Sequence, residues 1–303
     1  MKSVTLDCST SEVIRLSANN IEFEVATLGT GERLALCLHG FPEHAQSWRF
    51  QMPLLAKLGY RVWAPNLRGY GGTTSPARIA DYKLTTLVDD VLGLIAASGA
   101  REILLIAHDW GAVLAWQIAL DHPDKIHKLV IMNVPHPARF QAAFWRGQIW
   151  RSWYILLFQL PVLPEYLLTR PGTIDKIFRN RNKPLSSVAA ADMACFRQNA
   201  LRPGGMTAML NWYRALLRHG GLRRRDFPRI ETPTLMIWGD ADTALDIRTA
   251  LGTEAHVRDL TFRRLPGISH WVQQEAPEAV NAMLEAWLTG TAVPEYSEIA
   301  LPI

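Results

Sequence analysis

The chain has 303 residues, 49% of them hydrophobic and 20% charged, with a formal net charge of +4. That length buries a full core, as one large domain or a domain with an insertion. So small a charge points neither to nucleic acid nor to an anionic membrane, and the densest basic run, Arg223-Arg224-Arg225, reads as a solvated segment end.

Strand-like and helix-like stretches alternate in chain order, the pattern of an α/β fold with a largely parallel sheet. Strands are expected at 13–16, 21–27, 34–38, 61–64, 103–106, 128–132, 234–238 and 260–265. A short Ser-Ala-Asn-Asn turn separates the first two, which predicts an antiparallel hairpin. Leu84, Leu87, Val88, Val91, Leu92 and Ile95 fall on one helical face, and Val280, Met283, Leu284, Trp287 and Leu288 repeat that spacing. The alternation stops after Pro135-His136-Pro137. From 138 to 228 apolar residues recur at helical spacing, with several Trp and Tyr and no clear strand. This predicts a helical cap at 138–228 inserted into a core of 1–137 and 229–303.

Cys8, Cys37 and Cys195 are far apart, odd in number and without metal-ligand spacing, so neither a disulfide framework nor a metal is expected. Cys37, inside an apolar strand, reads as a small core residue. Residues 1–7 lack the long apolar stretch of a signal peptide. The greasiest segment, 154–163, is interrupted by Gln159 and Pro161 and is too short to cross a bilayer. A cytoplasmic protein without stable membrane insertion is expected, as a monomer or homodimer. The tail from Pro294 should pack on the surface or fray.

The chemistry gathers at strand ends, where reactive groups of open parallel sheets sit. Residues 107–111 read Ala-His-Asp-Trp-Gly between a strand and a helical pattern. A small-X-nucleophile-X-small sequence in that setting resembles the nucleophile elbow of the α/β-hydrolase fold. The nucleophile position holds Asp109. A carboxylate can displace a leaving group from saturated carbon and become an alkyl ester that water must later break. The competing reading is a helix N-cap, which leaves the small flanking residues unexplained. After strand 34–38 comes His39-Gly40-Phe41-Pro42-Glu43. A tight turn would need the same Gly and Pro, but the Phe41 N–H could also supply half an oxyanion hole, with the Trp110 N–H as the other half. After strand 260–265 comes Gly267-Ile268-Ser269-His270-Trp271, and the chain order of nucleophile, acid and His singles out His270 as the base. His108 and His39 read as structural. After strand 234–238, Asp240, Asp242 and Asp246 compete for the orienting acid. Asn133, at the end of strand 128–132, cannot act as a carboxylate.

From about Asn20 to Leu288 the chain resembles the epoxide hydrolases of the α/β-hydrolase superfamily. His39-Gly40-Phe41-Pro42 is similar to their His-Gly-X-Pro motif, in which the proline bond is cis. Arg68-Gly69-Tyr70-Gly71 and His108-Asp109-Trp110-Gly111 match as well. The resemblance implies an α/β-hydrolase fold: a mostly parallel eight-stranded sheet flanked by helices, with an inserted helical cap. It places the acid at Asp242. It also implies two ring-opening tyrosines, because Tyr154-Ile155-Leu156-Leu157-Phe158-Gln159-Leu160-Pro161 and Asn211-Trp212-Tyr213-Arg214 resemble the segments that carry them. An opening epoxide leaves an alkoxide, and a phenol of pKa about 10 can donate to it. Tyr213 shares a helical face with Met206, Met209, Leu210 and Leu217. Ala107 replaces a common Gly, and Asn66 a common Asp, for which a loop hydrogen bond is expected.

The implied activity is cofactor-free hydrolysis of a small-molecule epoxide to a vicinal diol, in a detoxification role. A haloalkane dehalogenase would use the same Asp109 and His270, but usually has Asn at the position of Phe41. Fluoroacetate dehalogenases carry Arg where Trp110 and Val113 stand. A ligand-binding protein on a hydrolase scaffold is the more distant alternative. Trp145, Trp150, Trp153, Phe158, Met206 and Met209 suggest a lipophilic pocket in the cap.

Overall fold

The computed structural model describes residues 12–179, 190–220 and 226–299. Cys8, residues 1–7, the Arg223-Arg224-Arg225 run and the Trp145 side chain lie outside the described residues. The strands are β1 (Glu12–Ala18), β2 (Ile21–Leu28), β3 (Arg33–Leu38), β4 (Tyr60–Pro65), β5 (Ile103–His108), β6 (Lys128–Met132), β7 (Thr234–Gly239) and β8 (Leu260–Leu265). Each was expected, and its ends lie within two residues of the expected ones. They form one sheet in the order β1-β2-β4-β3-β5-β6-β7-β8. The β1–β2 and β2–β4 pairs are antiparallel, and β3 to β8 run parallel. The expected hairpin turns through Asn19 and Asn20, both at positive φ (46° and 59°), which Asn tolerates better than most residues.

Strand composition follows burial. The central β5 is buried along its whole length, and its sequence is continuously apolar from Ile103 to Ala107. Ile103, Leu105 and Ala107 face one core cluster with α2 (Leu84–Ser98) and α3 (Trp110–Asp121). Leu104, Ile106 and the buried Cys37 face the other, with α1 (Gln51–Lys57) and the C-terminal helix. The edge strand β8 carries Arg263 and Arg264, charges that discourage pairing with another chain.

Between β6 and β7 the described residues hold no strand. After α4 (Pro137–Ala143) and a π-helical turn at Phe144–Gln148 come α5 (Ile149–Arg151), α6 (Trp153–Leu157), α7 (Leu163–Leu168), α8 (Thr173–Ile177), α9 (Ala190–Leu201) and α10 (Gly205–Arg218). Met206, Met209, Leu210, Trp212 and Tyr213 of α10 are buried. The Trp212 indole donates to the Arg68 carbonyl at 3.0 Å, fixing this helix to the loop after β4. Leu217, expected on the same face, is 48% exposed, because it lies in the last turn, where the helix runs out past the core. Phe158 is buried, but Trp150 and Trp153 point outward at 81% and 60% exposure. Those two do not line a pocket. Helical spacing identifies a stripe; it does not say whether the stripe turns inward.

After β8, α11 (Val272–Glu275) leads into α12 (Pro277–Thr289), which buries Val280, Met283 and Leu284. The tail packs: Arg263 donates to the carbonyls of Val293 and Pro294 at 2.6 and 3.1 Å. No described helix is long and apolar enough to cross a membrane.

Candidate active site

The parallel strands β3, β5, β6, β7 and β8 release the chain at the same edge of the sheet, and each release brings one group of the site. At the end of β5, Asp109 takes φ 47° and ψ −122°, a conformation that β-branched or bulky residues avoid. The sharp turn lifts its carboxylate clear of the sheet before α3 begins. The turn needs small neighbours. A Cβ on Gly111 would sit 2.3 Å from the Leu38 carbonyl oxygen, and one on Gly40 would sit 2.3 Å from the Asp109 Cβ.

The β3 end lies directly against this carboxylate. The Phe41 N–H donates to Asp109 Oδ1 at 2.7 Å, and the Phe41–Pro42 bond is cis, as the motif implied. Trp110 opens α3, where backbone N–H groups have no intrahelical acceptor. His39 braces the turn: its Nε2 accepts from the Leu67 N–H at 3.0 Å and its Nδ1 meets the Gly40 carbonyl at 3.0 Å. Burial pushes the His39 pKa down to about 4, so the ring is neutral. Asn66 makes the expected loop bonds, accepting from the Ala45 N–H and donating to Glu24.

His270, in the loop after β8, reaches both carboxylates. Its Nδ1 is 2.6 Å from Asp242 Oδ2 and its Nε2 is 3.4 Å from Asp109 Oδ2. Of the three competing acids, Asp242 meets the histidine. Asp240 is bound to Arg264, and Asp246 caps Ile247–Thr249 and pairs with Arg151 and Arg248. Asp242 also accepts from the N–H groups of Ala244 and Leu245 at 2.7 and 2.9 Å, and from Asn133 at 2.8 Å.

These contacts set the charges. Burial raises the pKa of Asp109, but hydrogen bonding and charge from His270, with help from His108 and the Phe41 N–H, outweigh it and hold the carboxyl below its ordinary value. Asp242 is held low against burial by His270 in the same way. Burial works to lower the His270 pKa, yet the two carboxylates bring it well above the ordinary histidine value. The resting trio is therefore two carboxylates around an imidazolium.

Tyr154 and Tyr213 close the site. Their ring centroids are 6.1 Å apart, and Tyr213 packs edge-on against Phe41, Trp110 and Phe158 at 5.0 to 5.4 Å. Burial first, and the Asp109 charge second, raise both phenol pKa values, so both hydroxyls stay protonated. Gln159 Nε2 donates to the Tyr213 carbonyl at 3.2 Å, joining the two tyrosine-bearing segments.

Sequence reasoning missed two supports. Asn133, set aside because it is no carboxylate, holds the Asp242 carboxylate and accepts from the Gly239 N–H at 2.9 Å. Glu43 and His108 form a fully buried pair at 2.8 Å, and His108 Nε2 donates to the His270 carbonyl at 2.8 Å. A Glu in the motif was the one available signal; the ring that meets it is 65 residues away. The described residues contain no cluster suited to a metal ion.

The sequence profile of the α/β-hydrolase fold matches residues 36–160, the stretch from β3 into the inserted helices. Over 291 residues the chain is 34% identical to epoxide hydrolase 3 of Xenopus tropicalis, covering 91% of this chain and 77% of that one. The crystal structure of epoxide hydrolase A from Mycobacterium thermoresistibile superposes with a TM-score of 0.82 at 30% identity, covering 94% and 100%. A mutant epoxide hydrolase from Bacillus megaterium, complexed with its product (R)-3-[1]naphthyloxy-propane-1,2-diol, superposes with a TM-score of 0.83 at 27% identity, covering 91% and 100%. Fold and elbow thus define an α/β-hydrolase. Within that superfamily, the chain belongs to the epoxide hydrolases.

Proposed function

We propose that the protein adds water to a lipophilic epoxide, giving a vicinal diol through an ester on Asp109. The helices at 138–228 act as a cap on a core formed by 1–137 and 229–303. The epoxide oxygen accepts hydrogen bonds from Tyr154 and Tyr213, which share the developing charge. An Asp109 oxygen attacks a ring carbon, the carbon–oxygen bond breaks, and one phenol protonates the departing oxygen. The oxygen stays attached to the substrate through the second carbon.

Ester formation removes the Asp109 charge. His270 then has one carboxylate neighbour in place of two, its pKa falls, and its proton can return to the tyrosinate. The neutral ring, oriented by Asp242, takes a proton from water. The hydroxide adds to the Asp109 carboxyl carbon, and the N–H groups of Phe41 and Trp110 hold the oxyanion. Collapse expels the diol oxygen, which takes the proton of the new carboxylic acid. Asp109 is again a carboxylate and His270 again an imidazolium. No cofactor enters any step.

The observation that carries this reading is the pair of tyrosine rings, 6.1 Å apart, with Tyr213 packed on Phe41 and Trp110 beside the nucleophile. A dehalogenase needs no such pair, and Phe41 offers a ring at Tyr213 where a second halide donor would be wanted. A substrate of aryl or long-chain type suits the aromatic walls, and the aryl diol bound by the Bacillus megaterium relative is of that type. The test is intact mass after brief exposure of His270→Gln to styrene oxide. One epoxide mass should be added, and Asp109→Ala should add none. Equal labelling of both variants, or halide release from haloalkanes without epoxide turnover, would overturn the reading.

A further inference from the structure

The net charge of +4 conceals a division. Residues 138–228 hold fifteen Lys and Arg against four Asp and Glu, while the rest of the chain holds seventeen against twenty-four. The described acids of the inserted helices are largely spent on arginines: Glu165 on Arg214, Asp175 on Arg197 and Asp192 on Arg49. By sequence the segment therefore carries a formal charge of +11, against −7 for the rest of the chain.

The same segment turns an apolar stripe outward. Trp150, Trp153, Leu156, Leu160 and Leu163 recur at intervals of three or four, joined by Val162 and Tyr166, and all are exposed. Their outward direction contrasts with the buried Ser152 and Phe158 between them. Exposed cations flank the stripe. The Arg170 guanidinium lies over the Tyr166 ring at 5.6 Å, and Arg218 donates to the Gln159 carbonyl at 3.2 Å.

We propose that this face docks on the surface of an anionic phospholipid bilayer. Trp and Tyr beside aliphatic side chains suit the headgroup boundary, and flanking Arg suits anionic headgroups within about a Debye length, roughly 10 Å. Docking requires no spanning helix. A second copy related by a twofold axis would bring the like-charged flanks together, whereas an anionic bilayer neutralises them. The helix that shows Trp153 and Leu156 to the outside shows Tyr154 to the site. Given the epoxide reading, a lipophilic epoxide leaving the bilayer reaches the catalytic groups along this one segment.

The experiment is co-sedimentation of the full chain with vesicles of phosphatidylcholine, with and without phosphatidylglycerol, over a range of NaCl concentrations. The protein should bind the anionic vesicles and release them as salt rises. Trp150→Ser with Trp153→Ser, and separately Arg170→Glu with Arg218→Glu, should weaken binding by roughly tenfold or more, with unchanged thermal unfolding. Equal binding to neutral vesicles, or wild-type binding by both double variants, overturns the proposal. So does light scattering that shows a wild-type dimer, broken by the same variants and indifferent to vesicles. Turnover of styrene oxide in vesicle-free buffer should be the same in all forms. Vesicle binding with no epoxide turnover would remove the catalytic reading and leave the docking surface standing.

Discussion

Asp109 is held in its strained conformation by what surrounds it, and Gly40 is the most exacting of those neighbours. A methyl at position 40 would overlap the Asp109 carboxylate, whose Oδ1 lies 2.5 Å from the ideal Cβ position. Gly40→Ala should cost on the order of a hundredfold or more in kcat, measured by steady-state turnover, with the fold retained by circular dichroism. Tyr154→Phe with Tyr213→Phe should remove ring opening, so that rapid mixing with epoxide yields no Asp109 ester, while either single change leaves a slower reaction. The charges of the trio give a pH prediction. His270 has a raised folded pKa, so its stabilising contribution is complete below about pH 6.5 and fades as pH rises through that raised value. Asp109 and Asp242 have depressed folded pKa values, so theirs is present above about pH 4 and is lost as pH falls through those values. Urea unfolding of Asp242→Asn should therefore lose stability relative to wild type between about pH 4 and 6.5, and the difference should shrink toward alkaline pH. Asp109, Phe41 and His270 were legible in the sequence because strand-end motifs name them, whereas Asp242, Tyr154 and Tyr213 were placed by the family resemblance. Asn133 and the Glu43–His108 pair were not, because their partners come from other strands and a polar residue in a loop carries no address.

At the scale of elements, close approach and buried pairing decide the geometry. Gly111 lets α3 begin against the β3 carbonyl, and Gly111→Ala should destabilise by about 1–3 kcal/mol or more, read from urea unfolding. Arg68 donates to both oxygens of Asp90 at 2.6 and 2.7 Å, and Asn19 of the hairpin turn adds a third bond at 2.7 Å. Loop, helix and hairpin meet in this buried pair. Arg68→Ala should cost about 3–5 kcal/mol by stranding the Asp90 charge, and Arg68→Lys should recover part of it. Strands were legible because buried parallel strands are continuous apolar runs ended by Gly, Pro or the motifs themselves. Helices were legible as stripes with no sign attached. The stripe of Val280, Met283 and Leu284 turns in; that of Trp150 and Trp153 turns out.

At the scale of the molecule, the inserted helices and the sheet share one interior. Tyr213 and Phe158 pack on Phe41 and Trp110, Arg49 pairs with Asp192 at 2.9 Å, and Asn199 donates to the Glu43 carbonyl at 3.0 Å. Such sharing predicts a single cooperative thermal transition in calorimetry. Two resolved transitions would mean that the cap is an independent unit. The sequence showed where the strand pattern stops, and among the described residues no strand lies between β6 and β7. The sequence did not reveal the seam, because the contacts that make it join residues more than a hundred positions apart.

The placement of Asn133 has an evolutionary consequence. Its amide lies one hydrogen bond from the Asp242 carboxylate, which lies one hydrogen bond from His270. Two strand ends thus offer neighbouring seats for a single negative charge, and a lineage could move that charge from one to the other without moving the histidine. The exchange is open to experiment: Asn133→Asp with Asp242→Asn should recover a measurable fraction of the turnover that Asp242→Asn alone abolishes. The order of these residues along the chain is then one choice between two neighbouring addresses, while the point where they meet in space is set by the strand ends.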